Sequence, residues 1–100
     1  MLPKLVRDKI PEIIFKDSKT PIYKQADIDS YKKLVLEKMC EELLEFEEEP
    51  CLEEAADIYE VFLSILSAHN FKLEDVRETA FKKRNDRGSF NNRIVLEKIV

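Results

Sequence analysis

The sequence predicts an all-α fold, a bundle of about four helices built round an antiparallel helix pair. Three observations predict it. Glycine occurs once and proline four times in 100 residues, which suits long helices and argues against a turn-rich β fold. Apolar residues make up 44% of the chain, enough to exclude disorder, and most recur at helical spacing. Breaks in that spacing are few and coincide with proline, asparagine or the single glycine. The length fits one domain over residues 1–100 with a modest core.

The elements follow in order. "IPEIIFK" carries Pro11 and Glu12 near its start and Ile10, Ile13 and Ile14 on one side, a short first helix. "DSKTPIYKQAD" breaks the pattern, and within it "PIYKQA" reads as a brief extended piece after Pro21. Asp27 or Asp29 caps a second helix running to about Glu48, with Ile28, Tyr31, Leu34, Val35, Met39, Leu43 and Phe46 as its apolar positions. Pro50 closes it. A third helix from about Leu52 to His69 is apolar nearly all round, so it is expected at the centre, covered by neighbours or by a second subunit. Asn70 is its expected stop. A fourth helix, "LEDVRETAFKKRNDR", ends at Gly88, a natural left-handed stop. The tail "RIVLEKIV" is β-branched and predicts a strand, against residues 22–26 or another chain.

Composition narrows the function classes. The net charge of −4 does not favour a nucleic-acid surface. No apolar run approaches the roughly 20 residues of a membrane span, and "MLPKLVRDKIPEII" scatters charges through what a signal peptide would keep apolar. Cys40 and Cys51 lie in apolar helical contexts and are expected to be buried, reduced thiols of a cytoplasmic protein. Two cysteines and one histidine at no ligand spacing argue against zinc.

The most unusual stretch is "CEELLEFEEEPCLEEAAD", residues 40–57, with nine acidic residues in eighteen positions. Glu42 and Glu45 are three apart on the second helix, and Glu54 and Asp57 are three apart on the third, so each pair shares a helix face. A tight turn at Pro50 makes the helices antiparallel neighbours. Glu45 and Glu54 are equidistant from the centre of that turn, and so are Glu42 and Asp57, so the pairs oppose each other level by level. Four such carboxylates repel, and a cation among them or solvent around them must relieve it. Oxygen ligands without histidine or cysteine suit Mg²⁺, with Mn²⁺ able to substitute. An acidic solvated face is the other reading, and Glu47, Glu48 and Glu49 fit it. A di-iron site of the ferritin type lacks its Glu-x-x-His pairs, since Leu66 stands three before His69.

These motifs resemble a known family. "EELLE" followed by "EEAAD" resembles the Glu-x-x-Glu … Glu-x-x-Asp signature of the all-α nucleoside triphosphate pyrophosphatases. That superfamily includes MazG-type enzymes, dimeric dUTPases and phosphoribosyl-ATP pyrophosphohydrolase. "KLVRDKIPEII", "KMCEELLEF", "EEAADIYEVF" and "KKRNDRGSFNNRIVL" resemble its compact house-cleaning branch, from about Lys4 to Leu96. The resemblance implies that Glu42, Glu45, Glu54 and Asp57 hold Mg²⁺. It matches Lys38 to the lysine before the first acid motif, as a catalytic residue with Glu41 and Glu42, and puts Lys83, Arg84 and Arg87 in a basic segment near phosphates. Arg7 and Lys9 fall in an N-terminal motif to which it gives no role. Ser89 departs from the pattern, standing where a second glycine is expected, and the loop between acid motifs is short.

The reaction so implied is hydrolysis of the α–β phosphoanhydride of a nucleoside triphosphate, non-canonical in this branch, to monophosphate and pyrophosphate. Metal would stabilise the developing charge and lower the pKa of the attacking water. Glu41, or a ligand carboxylate such as Glu42, would take the proton. Lys83, Arg84 and Arg87 would neutralise the leaving pyrophosphate, although a basic last helical turn also complements the helix dipole. Tyr23, Tyr31, Phe46 and Phe90 are candidates for base stacking or for core and interface. A homodimer or higher homo-oligomer is expected around the apolar third helix. The alternative is a non-catalytic dimeric helical module that binds a nucleotide or a protein partner and needs no metal.

Overall fold

The computed structural model describes residues 2–100 and is all-helical: α1 (Ile10–Lys16), α2 (Ile28–Glu48), α3 (Leu52–Ala68) and α4 (Leu73–Arg87). Contacts divide the chain into two compact units, Met1–Asn70 and Phe71–Val100.

In the first unit α2 and α3 pack on each other as an antiparallel hairpin. Asp27, not Asp29, caps α2: its carboxylate accepts the Ser30 N–H at 2.8 Å, a bond that holds the Asp27 pKa below its ordinary value. The helix stops where the Glu49 N–H returns to the Glu45 carbonyl, just before Pro50. The chain is extended again at Cys51, and α3 starts at Leu52. The inward stripe of α2 runs through Val35, Lys38, Met39, Glu42 and Phe46, an i, i+3, i+4, i+7 succession. On α3 the buried positions are Val61, Leu66 and Ala68. Val35 is fully buried, and Leu66 is 8% exposed. At the end of α3, Asn70 takes φ 59°, the left-handed conformation that asparagine tolerates.

The second unit consists of α4 and the tail. Glu74 and Asp75 occupy the first turn of α4, Arg84 and Arg87 the last, both favourable with the helix dipole. Gly88 ends the helix with φ 86° and ψ 177°. That is positive φ as expected, but with an extended ψ in place of the left-handed helical one. The region is essentially reserved for glycine.

Two expectations are corrected. No strand occurs among the described residues, so neither 22–26 nor 93–100 joins a ladder. β-Branched residues favour a strand only where a neighbouring edge accepts their backbone bonds, and none does here. Both thiols are free, but Cys40 is exposed and Cys51 only half-buried. Cys40 lies outside the inward stripe of α2, beside Leu36, Leu43 and Leu44, all of them exposed.

Leu66→Ala should lower stability by roughly 2–5 kcal/mol, since it removes a well-packed side chain from the hairpin core. Gly88→Ala should cost about 1–3 kcal/mol from backbone conformation alone, because nothing lies within 4 Å of the position a Cβ would take. Urea unfolding followed by circular dichroism measures both.

Candidate metal centre

The hairpin brings three of the four expected ligands together. One carboxylate oxygen from each of Glu42, Glu54 and Asp57 lies within 4.8 Å of the other two. Glu45 stands outside this triad and is exposed, although its charge reaches both Glu42 and Glu54. Glu42 and Asp57, expected at one level around Pro50, do meet, while helix rotation turns Glu42 inward and leaves Glu45 at the rim.

Glu42 is the unusual member. It is only 5% exposed, the one buried charged residue among those described. Its Oε1 lies 3.4 Å from Lys38 Nζ, and its Oε2 is inaccessible and has no hydrogen-bond partner. Glu54 Oε2 is likewise inaccessible and unpartnered, although the residue as a whole is half-exposed. A buried carboxylate oxygen without a donor is expensive. Burial, then the neighbouring Glu45 carboxylate, raises the Glu42 pKa against the opposing pull of Lys38. Burial also raises that of Glu54, followed by the charges of Glu45, Asp57, Glu49 and Glu53. A hard divalent cation held by the three carboxylates would relieve their repulsion, so the residues present fit Mg²⁺ or Mn²⁺.

Cations surround the triad. Lys38 Nζ lies 3.3 Å from Glu41 Oε1 as well as 3.4 Å from Glu42 Oε1. Burial disfavours its charge, but hydrogen bonds and attraction from Glu41 and Glu42 outweigh that and raise its pKa. Lys4 Nζ reaches the same Glu41 oxygen at 3.5 Å. Burial works against the Glu41 carboxylate, yet Lys38 and Lys4 overcome it and lower its pKa. Arg7 Nη2 donates to Asp57 Oδ1 at 2.6 Å, a charge-assisted bond. Both of its partners are at least a third exposed, so solvent limits its contribution to under about 1 kcal/mol.

The family resemblance singled out Lys38 and, without a role, Arg7, but the pairing of Lys38, Lys4 and Arg7 with the acids was not foreseen. The Lys38 pairing is local, because Glu41 and Glu42 follow it by three and four residues on one helix. Arg7 and Asp57 are 50 residues apart, and no local pattern announces such a pair. Lys9 stands at the N-terminal cap of α1 without a side-chain cap bond. Lys83, Arg84 and Arg87 lie on α4 in the second unit, all exposed. Ser89 accepts the Asn91 N–H on its Oγ at 3.3 Å, so the hydroxyl closes a turn where a second glycine was expected. Tyr31 and Phe46 are half-buried, whereas Tyr23 and Phe90 are exposed.

No protein-family profile, curated protein or solved structure matches this chain. Among the described residues no helix is long and apolar enough to cross a membrane.

If the triad holds a cation, millimolar Mg²⁺ or Mn²⁺ should raise the melting temperature of the wild-type chain, and Asp57→Asn should abolish the rise. In chelator, Glu42→Gln should be more stable than wild type. The amide removes a buried charge disfavoured by burial and Glu45, while Lys38 keeps Glu41. Differential scanning fluorimetry with and without metal reads both; no metal-dependent shift in the wild type would overturn the site.

Proposed function

We propose that this chain is a Mg²⁺-dependent nucleoside triphosphate pyrophosphohydrolase, releasing monophosphate and pyrophosphate from a nucleotide that is non-canonical in base or sugar. The observation that carries the reading is the convergence of Glu42, Glu54 and Asp57, two of which each keep one inaccessible, unpartnered carboxylate oxygen. Structural acids would be expected to splay into solvent or pair fully. The resemblance of the two acid motifs and the chain ends to the all-α pyrophosphatases supplies the reaction class.

Glu42, Glu54 and Asp57 would hold the metal, with Glu45 at the rim able to join them. When bound, the metal would screen the phosphates, stabilise the charge developing on the leaving group and lower the pKa of the attacking water. Lys38 keeps Glu41 and Glu42 in place from within the same helix. Glu41 Oε1 already accepts from Lys4 and Lys38, which favours a ligand carboxylate over Glu41 as the group that takes the water's proton. Lys83, Arg84 and Arg87 are the proposed phosphate-binding residues of α4, always charged in the case of the arginines.

We also infer a homo-oligomer, most simply a two-fold dimer. Leu36, Cys40, Leu43 and Leu44 form a second stripe on α2, and Leu52, Ala55, Ala56 and Tyr59 an equivalent one on α3. All are exposed, Tyr59 by 53%. Apolar patches beyond a few hundred Å² normally mark contacts. The same stripes favour the second reading, a non-catalytic module docking a protein partner, which needs no metal.

A nucleotide panel assayed by chromatography should give monophosphate and pyrophosphate in equal amounts, only with Mg²⁺ or Mn²⁺ present. Asp57→Asn should lose roughly 100-fold or more of the turnover while keeping its helicity. Orthophosphate with a nucleoside diphosphate as products would refute the cleavage site; no turnover of any nucleotide would leave the binding module. Sedimentation at low micromolar concentration should find a dimer or larger species.

A further inference from the structure

Of the cations beside the carboxylates, one is placed differently from the rest. The Lys38 side chain is only 17% exposed, and its ammonium is shared between Glu41 and Glu42, so it is committed to neutralising the protein's own acids. Lys4 makes a long contact to Glu41. Arg7 donates a single N–H to Asp57, and its side chain remains 57% exposed. A guanidinium carries five N–H donors in a planar fork, so most of its hydrogen-bonding capacity is unspent. Its backbone is fixed on both sides. The half-buried Leu5 and Val6 precede it, and its carbonyl accepts the Ile10 N–H at 3.0 Å where α1 begins.

We propose that Arg7 is the anion-binding arm of the carboxylate centre: tethered to Asp57 through one N–H, it offers its remaining donors to a phosphate group of the polyphosphate ligand. This deepens the pyrophosphohydrolase reading and rests on it. An acidic cluster repels a polyanion, and a metal bound there leaves the outer phosphate oxygens still to be neutralised. A guanidinium beside a ligand carboxylate answers both demands. Asp57 sets its position, so little ordering is needed when phosphate arrives, and the fork matches two phosphate oxygens at once. Lysine would supply the charge without that geometry. The inaccessible, unpartnered Glu42 oxygen supplies the independent sign that this centre takes a ligand.

The test is calorimetry on the full chain, first with Mg²⁺ alone and then, in Mg²⁺, with inorganic pyrophosphate and separately with an α,β-methylene nucleoside triphosphate. Wild type, Arg7→Ala, Arg7→Lys and Lys4→Ala are compared. Arg7→Ala is expected to bind Mg²⁺ at least as well as wild type, because it frees Asp57. It should lose at least about tenfold in affinity for both phosphate ligands. Arg7→Lys should recover only part of the loss, and Lys4→Ala should lose much less than Arg7→Ala. A loss confined to the nucleotide would place Arg7 against base or sugar and overturn the proposal. Unchanged pyrophosphate affinity in an Arg7→Ala protein that still binds Mg²⁺ would also overturn it and leave the metal centre standing. A wild type that binds neither Mg²⁺ nor pyrophosphate would refute the centre and its arm together.

Discussion

The α2–α3 hairpin is built across carboxylates that repel one another. Glu42, Glu54 and Asp57 converge, and Glu45 adds its charge from the rim. Ionised carboxylates at such separations in a partly dry setting destabilise the fold unless something offsets them. The chain offsets part of the repulsion with Lys38 from inside α2 and with Lys4 and Arg7 from the segment before α1. The offset is incomplete. Two buried oxygens keep no donor, and the pKa values of Glu42 and Glu54 stay raised. Paired carboxylates with orphaned oxygens are the feature on which the proposed metal site rests.

The apolar residues explain how so strained a cluster survives. Val35, Val61, Leu66 and Ala68 bury the inner face of the hairpin, and Asp27 and the Pro50 turn fix where its helices begin and end. Helices are stiff, so the backbone positions that carry the acids cannot move apart without unpacking that face. The charged stripe and the apolar core thus share one rigid element. Precision of this kind is what a metal-binding constellation needs from its scaffold.

The outer stripes through Leu36, Leu43 and Leu44 and through Leu52 and Tyr59 connect this centre to a wider question of assembly. They lie on the same two helices that carry the acids. Any partner docked there would rest on the same hairpin that positions the acids.

The sequence by itself determined the four helices, the hairpin and the opposed acids, because these depend on spacing along the chain. The three-residue intervals put Glu42 with Glu45 and Glu54 with Asp57. Pro50 set the turn, and Gly88 with Asn70 marked two helix ends. Lys38 came from the resemblance of its motif, and its pairing with Glu41 and Glu42 from the structure. Only the tertiary structure decided which acids turn inward. Helix rotation within the hairpin is set by packing of Val35, Val61 and Leu66, and it buries Glu42 while leaving Glu45 at the rim. Packing likewise turned Cys40 outward, and the lack of an accepting edge left the β-branched tail without a ladder. Lys4 and Arg7 reach the acids across 37 and 50 residues. Contacts at that separation follow from how the segment before α1 meets the hairpin, which no periodicity in the chain encodes.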